Sequence, residues 1–192
     1  MSPRTSRQLQ ELKANKKQII LEAALKVFAL HGYNGATIEL IARKAGVAKG
    51  LLYSYYESKE NLVEELILFG LKKAASYMEE KATGKITSKK VFEENLRHLV
   101  NHFLQEPDFW RFYTMMALQP KLVDKFKKEA SGFLEQYLGV YLEYFKKKGS
   151  KDPVTEAMLF GAVLDGLMFD LLVLPGTYPL EDVLKLIVKK FA

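Results

Sequence analysis

Apolar residues recur at spacings of three and four along nearly the whole chain, the period of helices that bury one face. Val, Ile and Thr are scattered rather than clustered, and no Asn-Gly or Asp-Gly hairpin signal occurs, so strands are not expected. Breaks in the pattern divide it into nine helices. The first is expected over about Lys16 to His31, with Ile20, Ala23, Ala24, Val27 and Phe28 on one face and Gly32 to stop it. Thr37 is a good N-cap for a second, very short helix that ends at Gly46. A third covers about Lys49 to Tyr55, and Ser58 caps a long fourth reaching about Lys81. After a break at Thr83-Gly84-Lys85, a fifth runs about Ser88 to Gln105 and Pro107 starts a sixth. Pro120 opens a long seventh that ends at Lys146-Lys147-Lys148-Gly149. The eighth, about Val154 to Leu174, stops at Pro175-Gly176, and the ninth covers about Leu180 to Phe191. The fold class is all-α.

Two very short helices joined at Gly46 are a poor way to build a core. They are a good way to push one small helix into the DNA major groove, where an α-helix fits and base edges are exposed. The charge agrees. Of the net +6, residues 1–60 hold ten Lys/Arg against five Asp/Glu, whereas the remaining residues are nearly balanced. That asymmetry points to a polyanion-binding head and a near-neutral body. The organisation expected is a basic flexible arm over 1–15, a helix-turn-helix head over 16–60 and a six-helix body over 61–192.

Composition narrows the classes further. No apolar run approaches the roughly 20 residues that span a bilayer, and the N-terminus lacks the apolar stretch of a secretory signal. The absence of cysteine removes disulfides, thiol nucleophiles and thiolate metal sites and fits a reducing cytoplasm. There is no Gly-rich phosphate loop, nucleophile elbow or metalloprotease motif. Asp165 and Asp170 lie about 140° apart on a helix and do not form a catalytic pair. An enzyme is not expected, nor a cofactor.

The order Phe28-Ala29-Leu30-His31-Gly32-Tyr33, Ala36-Thr37, Ile41-Ala42, Ala45-Gly46-Val47, Leu52-Tyr53 and Ser58-Lys59-Glu60-Asn61-Leu62 resembles the TetR family of bacterial transcriptional regulators. The resemblance covers about residues 16 to 66. It implies that Thr37 touches phosphate while capping its helix. It also implies that Ala48, Lys49, Gly50, Leu51, Tyr53, Ser54 and Tyr55 form the groove-facing surface of a recognition helix. Tyr56 is expected in the core. Ala48 stands where the family often has a capping hydroxyl, and Leu51 where a threonine is frequent, so Lys49 and Tyr53 are left as the main polar readers. Lys49 and Lys59 each occupy a first helical turn, where a cation is disfavoured unless a phosphate lies nearby, and both are expected on phosphates. Arg4 and Arg7 either enter a minor groove, sit on phosphates or belong to an unbound tail.

The eighth helix is apolar nearly all round and must be covered on both sides, in so short a chain most simply by a second subunit. Met158, Gly161, Asp165, Leu172, Leu184 and Ile187 are the expected dimer interface; the resemblance implies a homodimer whose last two helices pair into a four-helix bundle. Aromatic and Met residues are dense in the sixth and seventh helices, where the resemblance implies an effector cavity. Phe109, Trp110, Tyr113, Met116, Phe133, Tyr137 and Met168 are its expected walls, with His98 and His102 as polar lining. Glu94, His98 and His102 lack a fourth metal ligand, and no metal is expected. The function implied is a ligand-responsive regulator, most often a repressor in this family, released from a palindromic operator by a small hydrophobic effector. Two alternatives stay open: a DNA-bound adaptor of the same fold controlled by a protein partner, and a helical small-molecule carrier that ignores DNA.

Overall fold

The computed structural model describes residues 6–81 and 86–192, in which ten helices and no strand occur. They are α1 (Ser6–Gly35), α2 (Ile38–Ala45), α3 (Lys49–Tyr55), α4 (Lys59–Lys81) and α5 (Lys89–Gln105), then α6 (Pro107–Ala117), α7 (Pro120–Lys125), α8 (Lys127–Lys148), α9 (Pro153–Val173) and α10 (Leu180–Phe191). Arg4 and the Thr83-Gly84-Lys85 break lie outside the described residues.

Local chemistry sets most boundaries. The Ser58 and Ser88 hydroxyls accept from the N–H groups of Asn61 (3.0 Å) and Val91 (3.3 Å), and the Asp152 carboxylate accepts from Thr155 (3.1 Å). Each satisfies an otherwise orphaned donor of a first turn. Two boundaries differ from expectation. Helix α1 begins at Ser6, so most of the segment expected as a flexible arm is helical. Its first turns are exposed and carry an Arg7–Glu11 pair one turn apart (3.0 Å), which supports a helix without burying anything. The expected seventh helix is two: Phe126 leaves helical geometry (φ −106°, ψ 17°) and its ring is buried in the core.

The apolar faces assemble into two cores. One joins Ile20, Ala24 and Phe28 of α1 to Ile41, Leu52, Tyr56, the first turns of α4 at Leu62 and Leu66, and Phe112 and Met116 of α6. The other joins α5, α8, α9 and α10 around Phe160, whose ring centroid lies 4.5 Å from Tyr141 and 5.2 Å from both Phe92 and Phe191. The helix-turn-helix thus has no core of its own; α4 and α6 complete it.

This division corrects part of the expected subunit interface. Leu184 and Ile187 are buried in the second core of their own chain, because α10 has one apolar stripe and α5 and α9 already use it. Gly161 is also buried: a Cβ there would stand 3.0 Å from Leu138 Cδ2 of α8. Leu172 is half-buried, whereas Met158 and Asp165 are exposed.

Tyr56 is fully buried, as expected, but its hydroxyl finds no hydrogen-bond partner among the described residues. Burial pushes its phenol well above the usual range. Removing an orphaned buried hydroxyl relieves its desolvation cost, so Tyr56→Phe is expected to stabilise the protein by about 1 kcal/mol. Urea unfolding checks this, with an unchanged or lower midpoint as the contrary result.

Candidate nucleic-acid interface

Helix α2 is capped at both ends. Thr37 Oγ1 accepts from the Leu40 N–H (3.2 Å), and Gly46 adopts the left-handed conformation (φ 64°, ψ 35°). That backbone lets Val47 N–H reach the Ala42 carbonyl (3.0 Å) and turns the chain sharply into α3, at little cost only for glycine. Ala48 caps α3 with no side-chain bond. Leu52 and the following Tyr56 root this seven-residue helix in the core.

The opposite face of α3 is exposed among the described residues. Lys49, Gly50 and Ser54 are exposed, Leu51 is 40% exposed and Tyr53 47%. Tyr55 is half-buried and packs on the head core. The Ser54 hydroxyl donates to the Leu51 carbonyl (2.6 Å), so its proton is used within the helix.

Lys59, expected on a phosphate, is anchored within the head. Its ammonium donates to the carbonyls of Tyr33 (2.9 Å) and Ala36 (3.2 Å) and sits 4.4 Å from the centre of the Tyr33 ring. The cation at the start of α4 is offset by carbonyls at and just beyond the end of α1, a compensation supplied by tertiary packing. Beside it the Tyr33 hydroxyl donates to Glu60 Oε1 (2.6 Å). Burial and then that bond push the Tyr33 phenol up to about 12, and the same bond holds the Glu60 carboxyl below its usual range.

Helix α4 is tied along its length, in part through residues expected from the sequence to serve another role. Lys17 of α1 pairs with Glu65, and Lys125 of α7 pairs with Glu64. The Tyr113 hydroxyl of α6 donates to the Leu66 carbonyl (2.6 Å) and its ring lies directly on Gly70, where a Cβ would come within 1.6 Å of the phenol oxygen. One turn on, Lys73 pairs with Glu106 and lies 5.6 Å from the Phe109 ring centre. A glycine inside an apolar helical pattern was the one available signal of this close approach.

The expected effector residues are divided between the two cores. Phe109 and Met116 are buried, Met116 within the first core, and Tyr113 is the α4 latch. Trp110 stacks on Phe103 (5.2 Å), with its Nε1 buried and, among the described residues, unpartnered. Tyr137 and Met168 are half-buried beside the second core. His98 is exposed, His102 is half-buried with its imidazole pushed down by burial, and the Phe133 side chain lies outside the described set. A groove of about 680 Å³ runs between Tyr33, Glu60 and Val63 on one side and Pro120, Leu122 and Lys125 on the other.

On the far side of the body, α9 carries an unpartnered apolar stripe. Met158 is 62% exposed and Phe169 53%, and Ala162 and Val173 lie on the same face. The Asp165 carboxyl lies within this exposed stripe, and partial desolvation by its neighbours raises it above its usual range. Among the described residues no helix is long and apolar enough to cross a membrane.

Residues 20–66 match the family described as bacterial regulatory proteins, tetR family. The chain is 34% identical over 91 residues to an uncharacterized HTH-type transcriptional regulator, YhgD, of Bacillus subtilis (strain 168), covering 47% of this chain and 46% of that protein. This chain spans about half the length of YhgD and of a second regulator from the same organism, YuxN. The fatty acid metabolism regulator protein of B. subtilis is 28% identical over 161 residues, 79% of this chain and 81% of its own. A crystal structure of a TetR-like transcriptional regulator from Rhodococcus sp. RHA1 superposes with a TM-score of 0.73 at 18% identity, covering 98% of this chain and 95% of that one.

Proposed function

Because this chain belongs to the TetR family of bacterial transcriptional regulators, we propose that it is a homodimeric repressor that binds a palindromic operator and is released by a small apolar effector. The observation that carries the DNA contact is the bare face of α3. Lys49, Leu51 and Tyr53 stand exposed on a helix too short to serve packing, while Leu52 and Tyr56 hold it in place. Tyr53 and Leu51 read base edges and thymine methyls. Lys49, the N-terminus of α2 at Thr37 and the exposed Gly50 and Ser54 meet phosphates; Ala48 allows close approach. Tyr55 and Lys59 act as positioning residues, Tyr55 by its packing and Lys59 by fixing the end of α1 to the start of α4.

The unpartnered stripe of α9 supports a twofold interface through Met158, Ala162, Asp165 and Phe169. Regulation runs through α4, which is bonded to the head at Tyr33 and to α6 at Tyr113. An effector that displaces α6 or α8 tilts α4 and changes the separation of the two α3 helices. The similarity to a fatty acid metabolism regulator favours an effector with an acyl chain. Trp110 and Tyr137, with His102 nearby on α5, are the side chains expected to meet it.

Selection of fragments bound by the protein from bacterial genomic DNA tests this function. The recovered sequences are expected to share an inverted repeat with half-sites about one helical turn, roughly 34–36 Å, apart. Recovery without a shared motif would contradict it. On such a fragment, Tyr53→Ala is expected to weaken binding about 10–100-fold, and Lys49→Gln to lower the salt slope by about one. Fluorescence anisotropy at several salt concentrations checks both.

A further inference from the structure

Four basic side chains converge on one groove away from the α3 face. Lys26 and His31 of α1 and Arg43 and Lys44 of α2 line a depression of about 500 Å³ that Asp108, at the start of α6, closes from the body side. Among the described residues none of the four basic groups has an ion pair. The one carboxylate present, Asp108, faces Arg111 at 3.8 Å. The negative C-terminal ends of α1 and α2 favour a cation or two at such positions. They do not favour three permanent charges in one depression whose one carboxylate faces another arginine.

The apolar part of the groove is equally unaccounted for. Val27 and Leu40 form its floor, and Leu30 stands on its rim with 78% of its surface exposed, bare of any cover. Cations beside an uncovered leucine match a ligand with a multiply charged anionic end and an apolar end. A phosphoryl group carries about −1.5 to −2 charges at neutral pH and suits this excess better than a carboxylate.

We propose that this groove binds a small phosphorylated molecule with an apolar group, held by Lys26, Arg43 and Lys44 at the phosphoryl end and by Leu30 at the other. The site joins α1 and α2 of the head to α6 of the body, so its occupant braces the head against the body. It is separate from the α3 surface, and its failure leaves the DNA-binding proposal standing.

The test uses the full chain, with phenyl phosphate and inorganic phosphate as probes in calorimetric titration. Phenyl phosphate is expected to bind saturably and about tenfold more tightly than inorganic phosphate, one decade being a readable difference in Kd. Lys26→Gln/Arg43→Gln/Lys44→Gln is expected to weaken both probes about tenfold or more, and Leu30→Ser to abolish only the preference for phenyl phosphate. All four residues are at the surface, and circular dichroism verifies that the variants stay folded. Absence of saturable binding, or binding that the triple variant leaves unchanged, overturns the proposal. So does a triple variant that loses only DNA affinity and salt slope, which would assign the cluster to the DNA surface.

Discussion

Met158→Glu combined with Phe169→Glu is expected to yield a folded monomer whose operator affinity has fallen about 10²–10⁴-fold, the range lost when two linked sites become independent. Both side chains are exposed and lie on the α9 face opposite Ala157, Phe160, Leu164 and Leu167, so the core is untouched. In a twofold interface each carboxylate would be buried without a cation, beside Asp165, whose carboxyl is already raised by partial desolvation. Sedimentation equilibrium reads the assembly, circular dichroism the fold and anisotropy the affinity. A variant that remains a dimer would place the interface elsewhere.

Gly70→Ala is expected to change sign with its neighbour. In the parent chain a Cβ at Gly70 would overlap the Tyr113 ring, with its Cζ at 2.0 Å as well as its hydroxyl. The ring must swing out and abandon the Leu66 carbonyl, at about 1–3 kcal/mol of stability. In a Tyr113→Ala background the clash is gone, and the same substitution should stabilise by roughly 0.8–1.0 kcal/mol through helix propensity alone. Urea unfolding of the four proteins of this cycle measures the coupling directly. A destabilisation of equal size in both backgrounds would show that Tyr113 does not hold α4. Loss of the latch should also alter the response to effector, since it is the bond from α6 to the helix that carries the head.

The elements most legible in the sequence were those determined by neighbouring residues. Thr37, Ser58, Gly46 and Gly149 mark helix ends because a cap or a left-handed residue acts within a few positions. The first turns of α1 carry no apolar stripe, and periodicity reports burial rather than helicity, so their helix was invisible. The break at Phe126 arises because the first core draws that ring inward, a long-range demand with no local marker. The surroundings of Lys59 are hidden from the sequence for a related reason. A dipole argument confined to α4 leaves its charge unsatisfied, and the carbonyls that satisfy it come from the end of α1 and just beyond, more than twenty residues earlier. Leu184 and Ile187 show the same limit, since an apolar stripe does not say whether its own chain or a second subunit covers it. Aromatic density in α6 and α8 likewise marks packing, and here much of it became core and the Tyr113 latch.

The central claim is that the exposed face of α3, with the start of α2, meets the DNA backbone and base edges. Titrating salt against binding of a selected genomic fragment tests it most directly. Neutralising several phosphates releases their counterions, so the logarithm of the affinity should fall linearly with the logarithm of salt, by about 0.9 for each phosphate contacted. A fall of several decades per decade of salt, reduced by Lys49→Gln, is the predicted result. Affinity that stays level across the titration, or a slope unchanged by Lys49→Gln, would contradict it.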